Sequence, residues 1–265
     1  PMFPPFPGWR SYGFDLCTVR VTVLPYASLR QRGVVFLPAF SEPYMNLIAL
    51  DTSTEFLSLA IAIDGTLLNE HQHVGQRHAE LTLPLLRSLL ADSQHALQDF
   101  DAIVYSQGPG AFTGLRIGCG IAQGLALAAG LPLIGIPTLD VLTHQHPGPR
   151  VLACLDARMG EVYAAAYDKE TGSLPLAMGV WKPQELPVPD GQWQGAGNGF
   201  AVFGDSLAER LGASLTDADS SLAPSASAMI ELARSQRYSR IAPEQAELVY
   251  LRNKVALTTA ERARQ

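Results

Sequence analysis

Apolar and polar positions along the chain set out a strand-rich opening, a helix-rich middle, and then a second strand-rich opening. NLIALDTST, from Asn46, reads as an apolar strand that ends in Asp51 and a short polar turn. FLSLAIAI follows as a second strand and runs through Asp64-Gly65, a dipeptide suited to a tight hairpin, into a third strand over residues 66–74. His78, Leu81, Leu85 and Leu89 recur at helical spacing and predict a helix over 78–91 with one apolar stripe. A strand over 102–106, a helix over 113–129, a strand over 133–136 and a short helix from Thr138 complete a β-β-β-α-β-α order.

The opening pattern then repeats. LDTSTEFLSLAIAIDG from Leu50 is echoed by LDARMGEVYAAAYDKETG from Leu155. In each copy a strand ends in Leu-Asp, a polar turn follows, and Glu leads into an alternating second strand. With a one-residue offset, Asp51 matches Asp156 and Glu55 matches Glu161. Helices are expected near 200–211 and 225–235, whereas 171–197 is rich in Pro and Gly and has no readable period. The His-Pro-Gly-Pro run at 146–149 breaks the chain. The expected domains are therefore a first lobe over 45–147 and a reduced second lobe over 148–265. An α/β chain of two lobes, each opening with an Asp-tipped β-hairpin, resembles the actin-like ATPase (ASKHA) fold. In that fold the hairpin turns offer N–H groups to phosphate and the carboxylates orient metal-bound water. Asp51, Ser53 and Asp156 are thus candidate nucleotide-facing residues, and QGAGNGF at 194–200 is a candidate remnant of an adenosine loop. Asp at a strand end also satisfies turn amides, and both readings stand at this point.

The helix over 113–129 is unusual in its small residues. Gly114, Gly118, Ala122, Ala126 and Gly130 follow strict i, i+4 spacing, and Gly120, Gly124 and Ala128 form a second row. Each glycine costs a helix about 1 kcal/mol relative to alanine, so close approach of other backbones to two faces should offset the loss. One row is expected to pack within the lobe and the other against a partner, the alternative being that both helices spend their stripes on the lobe's own sheet. The expected partner surface is His78, Leu81, Leu85, Leu89, Arg116, Gly120, Gln123, Gly124 and Ala128, as a four-helix interface. Arg116 and Gln123 interrupt the apolar run, which reads as too short to span a bilayer. The Gly108-Pro109-Gly110 turn before the helix lacks the Gly-Lys-Ser/Thr ending of a P-loop, though backbone N–H groups at a helix start can still receive an anion.

Composition narrows the partners. The net charge of −6, with no Lys/Arg stripe, excludes a chain that holds nucleic acid by itself. Cys17, Cys119 and Cys154 are isolated, which favours a reducing compartment, so the expected location is cytoplasmic. Residues 1–44 carry seven prolines and no amphipathic period. They are expected to be a non-native or disordered extension, with the natural start at Met45. Two His-Gln-His triplets, at 71–73 and 144–146, could each chelate if extended, but no third ligand lies at short spacing. No GxSxG, no HExxH and no cysteine nucleophile motif is present in the sequence.

LDTSTEFLSLA, SQGPGAFTGLRIGCGIAQGLA, GIPTLDVL, LDARMGEVYAA and AELVYLRNKVA together resemble the TsaB (YeaZ) family, over essentially the whole chain from Met45. The resemblance implies a non-catalytic subunit that pairs with TsaD through helices of the first lobe. With the ATPase TsaE, that assembly moves a threonylcarbamoyl group onto the adenosine beside the anticodon of tRNA (the t6A modification). TsaD-like subunits carry an HxxxH metal motif where this chain has IPTLDVLTH, so Thr138 and Leu142 stand near the histidine positions. Neither replaces imidazole as a ligand. The resemblance therefore implies no catalytic residue, no metal and no cofactor held by this chain alone, with ATP or ADP only at the level of the complex. It implies tRNA contact mainly through partners, a candidate homodimer, and no membrane. The alternative is a stand-alone actin-fold enzyme, metallopeptidase-like or a small-molecule kinase.

Overall fold

Arg30–Phe36 (β1), Leu47–Asp51 (β2), Phe56–Ile63 (β3), Thr66–His73 (β4), Ala102–Gly108 (β5) and Leu133–Pro137 (β6) build the first sheet in a computed structural model that describes residues 30–36 and 45–252. Strands β2, β3 and β4 form an antiparallel meander, and β5 and β6 add to the other edge of β2 in parallel. The crossovers are His78–Ser93 (α1) and Phe112–Ala129 (α2), and Thr138–Gln145 (α3) follows β6. Within the segment expected as an extension, β1 pairs antiparallel with the β4 edge, Arg30 opposite Gln72 and Phe36 opposite Thr66. The rest of the extension lies outside the described residues.

The second sheet holds Arg150–Arg158 (β7), Glu161–Asp168 (β8), Ser173–Trp181 (β9), Trp193–Ala196 (β10) and Leu215–Asp219 (β11), with Gly199–Leu211 (α4) between the last two. Ala226–Arg234 (α5) and Arg240–Ile241 (β12) follow. Strand order is β1-β4-β3-β2-β5-β6-β12 in the first sheet and β11-β10-β7-β8-β9 in the second. Read from each antiparallel edge of the duplicated core, both run third, second, first, fourth, fifth. The internal echo in sequence is therefore an echo in topology.

Each lobe donates a helix to the other. Small residues of the first sheet's inner face, Ala49, Ala60 and Ala62, pack with Met229, Ile230 and Ala233 of α5. The larger Ile48, Leu50, Leu57, Leu59 and Ile61 face α1 and α2 on the outer side. On the second sheet, Ala153, Leu155 and Ala165 pack with Leu139 and Leu142 of α3, while Leu152, Val162 and Trp193 pack with Phe200, Leu207 and Leu211 of α4. The alternation of large and small along β2 and β3 sets the depth available to helices on either face. The break at 146–150 separates the sheets, but the chain after residue 223 returns to the first lobe through α5 and β12. The expected second lobe of 148–265 thus ends earlier in space than in sequence. Strand β9 lies in the stretch that had no readable period.

Candidate functional site

The turns after β2 and β7 face each other across a cleft of ≈ 300 Å³. Ser53, Thr54 and Glu55 line one wall, Asp156, Arg158, Met159 and Asn198 the other, and Tyr250 and Arg252 lie at its edge. Of the three candidate nucleotide-facing residues, Ser53 and Asp156 line this cleft. Asp51 does not: it is fully buried beneath the turn, where its carboxylate accepts bonds from the Ser53 amide (3.0 Å) and hydroxyl (2.9 Å). Burial pushes its carboxyl up to about 6 against the pull of the Ser53 and Ser106 donors. Asp51 is a turn anchor at neutral pH, not a ligand-facing group.

The loop before α2 is tied to the first hairpin, and its Gly110 and Ala111, with Phe112 of α2, line the same cleft. The Ala111 amide donates to the Ser53 carbonyl at 2.7 Å. A side chain at Gly110 would collide with that same carbonyl, and one at Gly114 with the carbonyl of Thr52. The Thr52 hydroxyl donates to the Gly114 carbonyl at 2.8 Å. The QGAGNGF glycines serve packing as well. Side chains at Gly197 or Gly199 would strike Cys154, and one at Gly195 would strike Phe200. The Asn198 side-chain oxygen accepts from the Asp156 amide at 3.0 Å, tying this loop to the second hairpin.

Charges at the cleft are matched. Arg158 reaches Asp156 at 3.1 Å and crosses to Glu55 at 3.4 Å. Glu55 also meets His73 at 3.3 Å, and that contact holds its carboxyl below the usual range. Arg252 pairs with Glu161. Thr138 and Leu142, at the place of the HxxxH motif, are both fully buried. Among the described residues no group of three or more His, Cys, Asp or Glu could hold a metal ion. The first His-Gln-His triplet is extended at the end of β4, with both imidazoles against the Phe56 ring, His73 edge-on at 5.3 Å. His71 stacks on Phe56 at 5.0 Å, while His73 pairs with Glu55. The second triplet begins within α3, so its two imidazoles diverge: His144 meets Glu231 at 2.9 Å and His146 accepts from the Gly148 amide at 3.1 Å.

The outer helices give a second candidate surface. On α2 the row Gly114, Gly118, Ala122 and Ala126 is buried, and a side chain at Gly118 would strike the Thr52 hydroxyl. Gly120, Gly124 and Ala128 are exposed, and nothing lies within 4 Å of an added Cβ at Gly120 or Gly124. The helix is long and apolar enough to cross a bilayer by length and composition, contrary to the expectation that it is too short, but its buried row is fixed to the first sheet. The α1 part of the expected surface needs correction. His78 (4% exposed) and Leu89 (1%) are buried, with His78 Nε2 3.1 Å from the Phe56 carbonyl. Leu81 and Leu85 pack against the same core. The most continuous apolar stripe of a helix goes to its own sheet, and what remains outward is Leu83, 46% exposed. Leu127, 58% exposed, extends the outward face of α2 and was also missed. Two polar members are held by their own chain. Gln123 donates to the Pro243 carbonyl at 2.9 Å, and Arg116 lies 3.6 Å over the Phe112 ring and donates to the Tyr250 hydroxyl at 3.2 Å.

Comparison with known proteins agrees with this geometry. The family model described as "TsaD: tRNA N6-adenosine threonylcarbamoyltransferase" matches residues 70–238. A tRNA threonylcarbamoyladenosine biosynthesis protein TsaB of Escherichia coli K12 is 38% identical over 226 residues, 80% of this chain and 96% of the relative. The chain belongs to the TsaB family. A TsaB of Haemophilus influenzae is 33% identical and is covered over 95% of its length. The solved structure described as YeaZ from Pseudomonas aeruginosa superposes with a TM-score of 0.70 at 37% identity, over 78% of this chain and 100% of that one. The actin-like reading of the two lobes fits this TsaB membership.

Proposed function

We propose that this chain serves t6A formation on tRNA as a subunit without catalysis of its own, and that it binds a TsaD-like catalytic subunit through the outward face of α1 and α2. A TsaE-like ATPase joins through that pair, tRNA is held mainly by the partners, and any ATP or ADP belongs to the complex. The same face serves a homodimer when the partner is absent. The work takes place in the cytoplasm, where the unpaired Cys119 and Cys154 fit a reducing medium. The observation that carries the reading is the bare row at Gly120 and Gly124. These glycines weaken the helix, and nothing among the described residues packs over them. A close-approaching backbone from another subunit supplies the missing compensation. The matched charges of the cleft support the non-catalytic part.

The test is titration of the purified chain and its Gly120→Leu, Gly124→Leu and Ala128→Leu variants with a TsaD-like subunit. Each substitution should not lower the melting temperature and should weaken binding by about 1–3 kcal/mol through overpacking. Unchanged affinity in all three places the interface elsewhere. Threonylcarbamoyl transfer by the isolated chain overturns the non-catalytic reading.

A further inference from the structure

The segment 243–252 crosses from one lobe to the other. Its first part lies on the first lobe. The Pro243 carbonyl accepts from Gln123, the Tyr105 hydroxyl donates to the Glu247 carbonyl (3.0 Å) and accepts from the Glu247 amide (3.2 Å), and the Val249 amide donates to the Gln107 carbonyl (2.8 Å). Its last described residue reaches the second lobe. Arg252 Nη2 donates to the carbonyls of Ala157 (3.1 Å) and Arg158 (3.3 Å) and to the Glu161 carboxylate. Nη1 lies 3.3 Å from Met159 Sδ.

The turn that receives Arg252 is shaped for it. Arg158, Met159 and Gly160 have φ of 61°, 56° and 75°, three successive left-handed residues of which two carry side chains. Such a turn persists only where its surroundings over-determine it. Here two carbonyls and a carboxylate converge on Nη2 of Arg252 while Nη1 meets Met159 Sδ, so both terminal nitrogens of one guanidinium are held. We propose that the β7–β8 turn is a guanidinium-binding site occupied in cis by Arg252, and that segment 243–252 is thereby a clasp that holds the two lobes across the cleft. The pair is mostly shielded, with side chains 19% and 31% exposed, so it outweighs the open bridge from Arg158 (73%) to Glu55 (58%). The clasp borders the partner surface at the Gln123–Pro243 and Arg116–Tyr250 contacts, so it is tested on the chain alone with no partner present.

Hydrogen exchange of the full-length chain, resolved by peptide, tests it. In Arg252→Ala, amides of residues 157–161 and 53–55 should exchange about tenfold faster, while the β2, β5 and α2 core keeps its protection. Millimolar methylguanidinium should restore protection at 157–161 in Arg252→Ala and leave the parent chain unaffected. Glu161→Gln, which keeps the shape of the turn, should show the same local loss to a smaller extent and should answer less to methylguanidinium. That variant decides the matter if Arg252→Ala fails to fold. Unchanged exchange at both turns, a uniform rise across the molecule, or no response of Arg252→Ala to methylguanidinium overturns the proposal.

Discussion

The two sheets share one strand order, yet the lobes are finished differently. In the first lobe the crossover from the third strand to the fourth is a sixteen-residue helix, α1. In the second it is a loop with one 3-10 turn at Pro183–Glu185. The first lobe's other crossover helix, α2, keeps a row of open small residues, whereas its counterpart α4 has one open glycine, Gly204, and presents Val202, 54% exposed. The two tip carboxylates have diverged as well. Asp51 is sealed beneath its turn among hydroxyl and amide donors. Asp156 lies at the cleft with a guanidinium beside it. Strand order is fixed by backbone pairing and tolerates such change. Outer faces and turn tips are free to be spent on partners or on closing a site.

The largest expected effect tests whether the lobes are independent. Trp193 is 1% exposed in the second lobe's core, and Trp193→Ala should cost about 3–5 kcal/mol. Because α3 and α5 are exchanged between sheets, calorimetry should still show one transition. Two separate transitions would mean that each lobe is a folding unit of its own.

The rows of α2 give the next contrast. Gly118→Leu should destabilise the chain by about 1–3 kcal/mol, since its side chain meets Thr52. Gly120→Leu should not lower stability in urea titration. Equal costs at the two positions would remove the distinction between a packed row and a free one.

Asp51 predicts a pH effect of comparable size. Its folded carboxyl is raised from 3.8 to about 6, so folding favours the protonated form. The stability it contributes is fully present below the unfolded value and is lost as pH rises through 6, by roughly 3 kcal/mol. Urea titrations between pH 4 and 7.5 should show Asp51→Asn gaining on the parent as pH rises. A difference that stays flat over this range would show that the buried carboxyl titrates normally.

The smallest effect concerns the exposed bridge between the lobes. Glu55→Gln weakens a contact to Arg158 in which both side chains are mostly exposed. Thermal unfolding should report a loss of about 1 kcal/mol or less. A much larger loss would make this bridge, and not Arg252, the main tie across the cleft.

Much of the fold was legible because its signals are local. Alternation over 47–73, the stripe of α1, the two small rows of α2 and the duplicated Leu-Asp hairpins each lie within a few residues of one another. Strands β9 and β11 were not legible, because β9 follows a Pro/Gly-rich pattern and β11 is largely exposed. The site was half visible. Ser53 and Asp156 lie where the echo placed them, and the split between the two rows of α2 follows from spacing.

The sequence by itself determined the duplication, the family and which positions are small, since these are properties of neighbouring residues and of pattern. Only the tertiary structure decided how those positions are used. It buried His78 and Leu89 against the first sheet, because a helix spends its longest apolar stripe on its own core before any partner can claim it. It sealed Asp51 under its turn, tied the loop before α2 to the Ser53 carbonyl, and brought Arg252 to Glu161, 91 residues away in sequence. Solvent exclusion and long-range contact depend on which surfaces meet, and no local period encodes that.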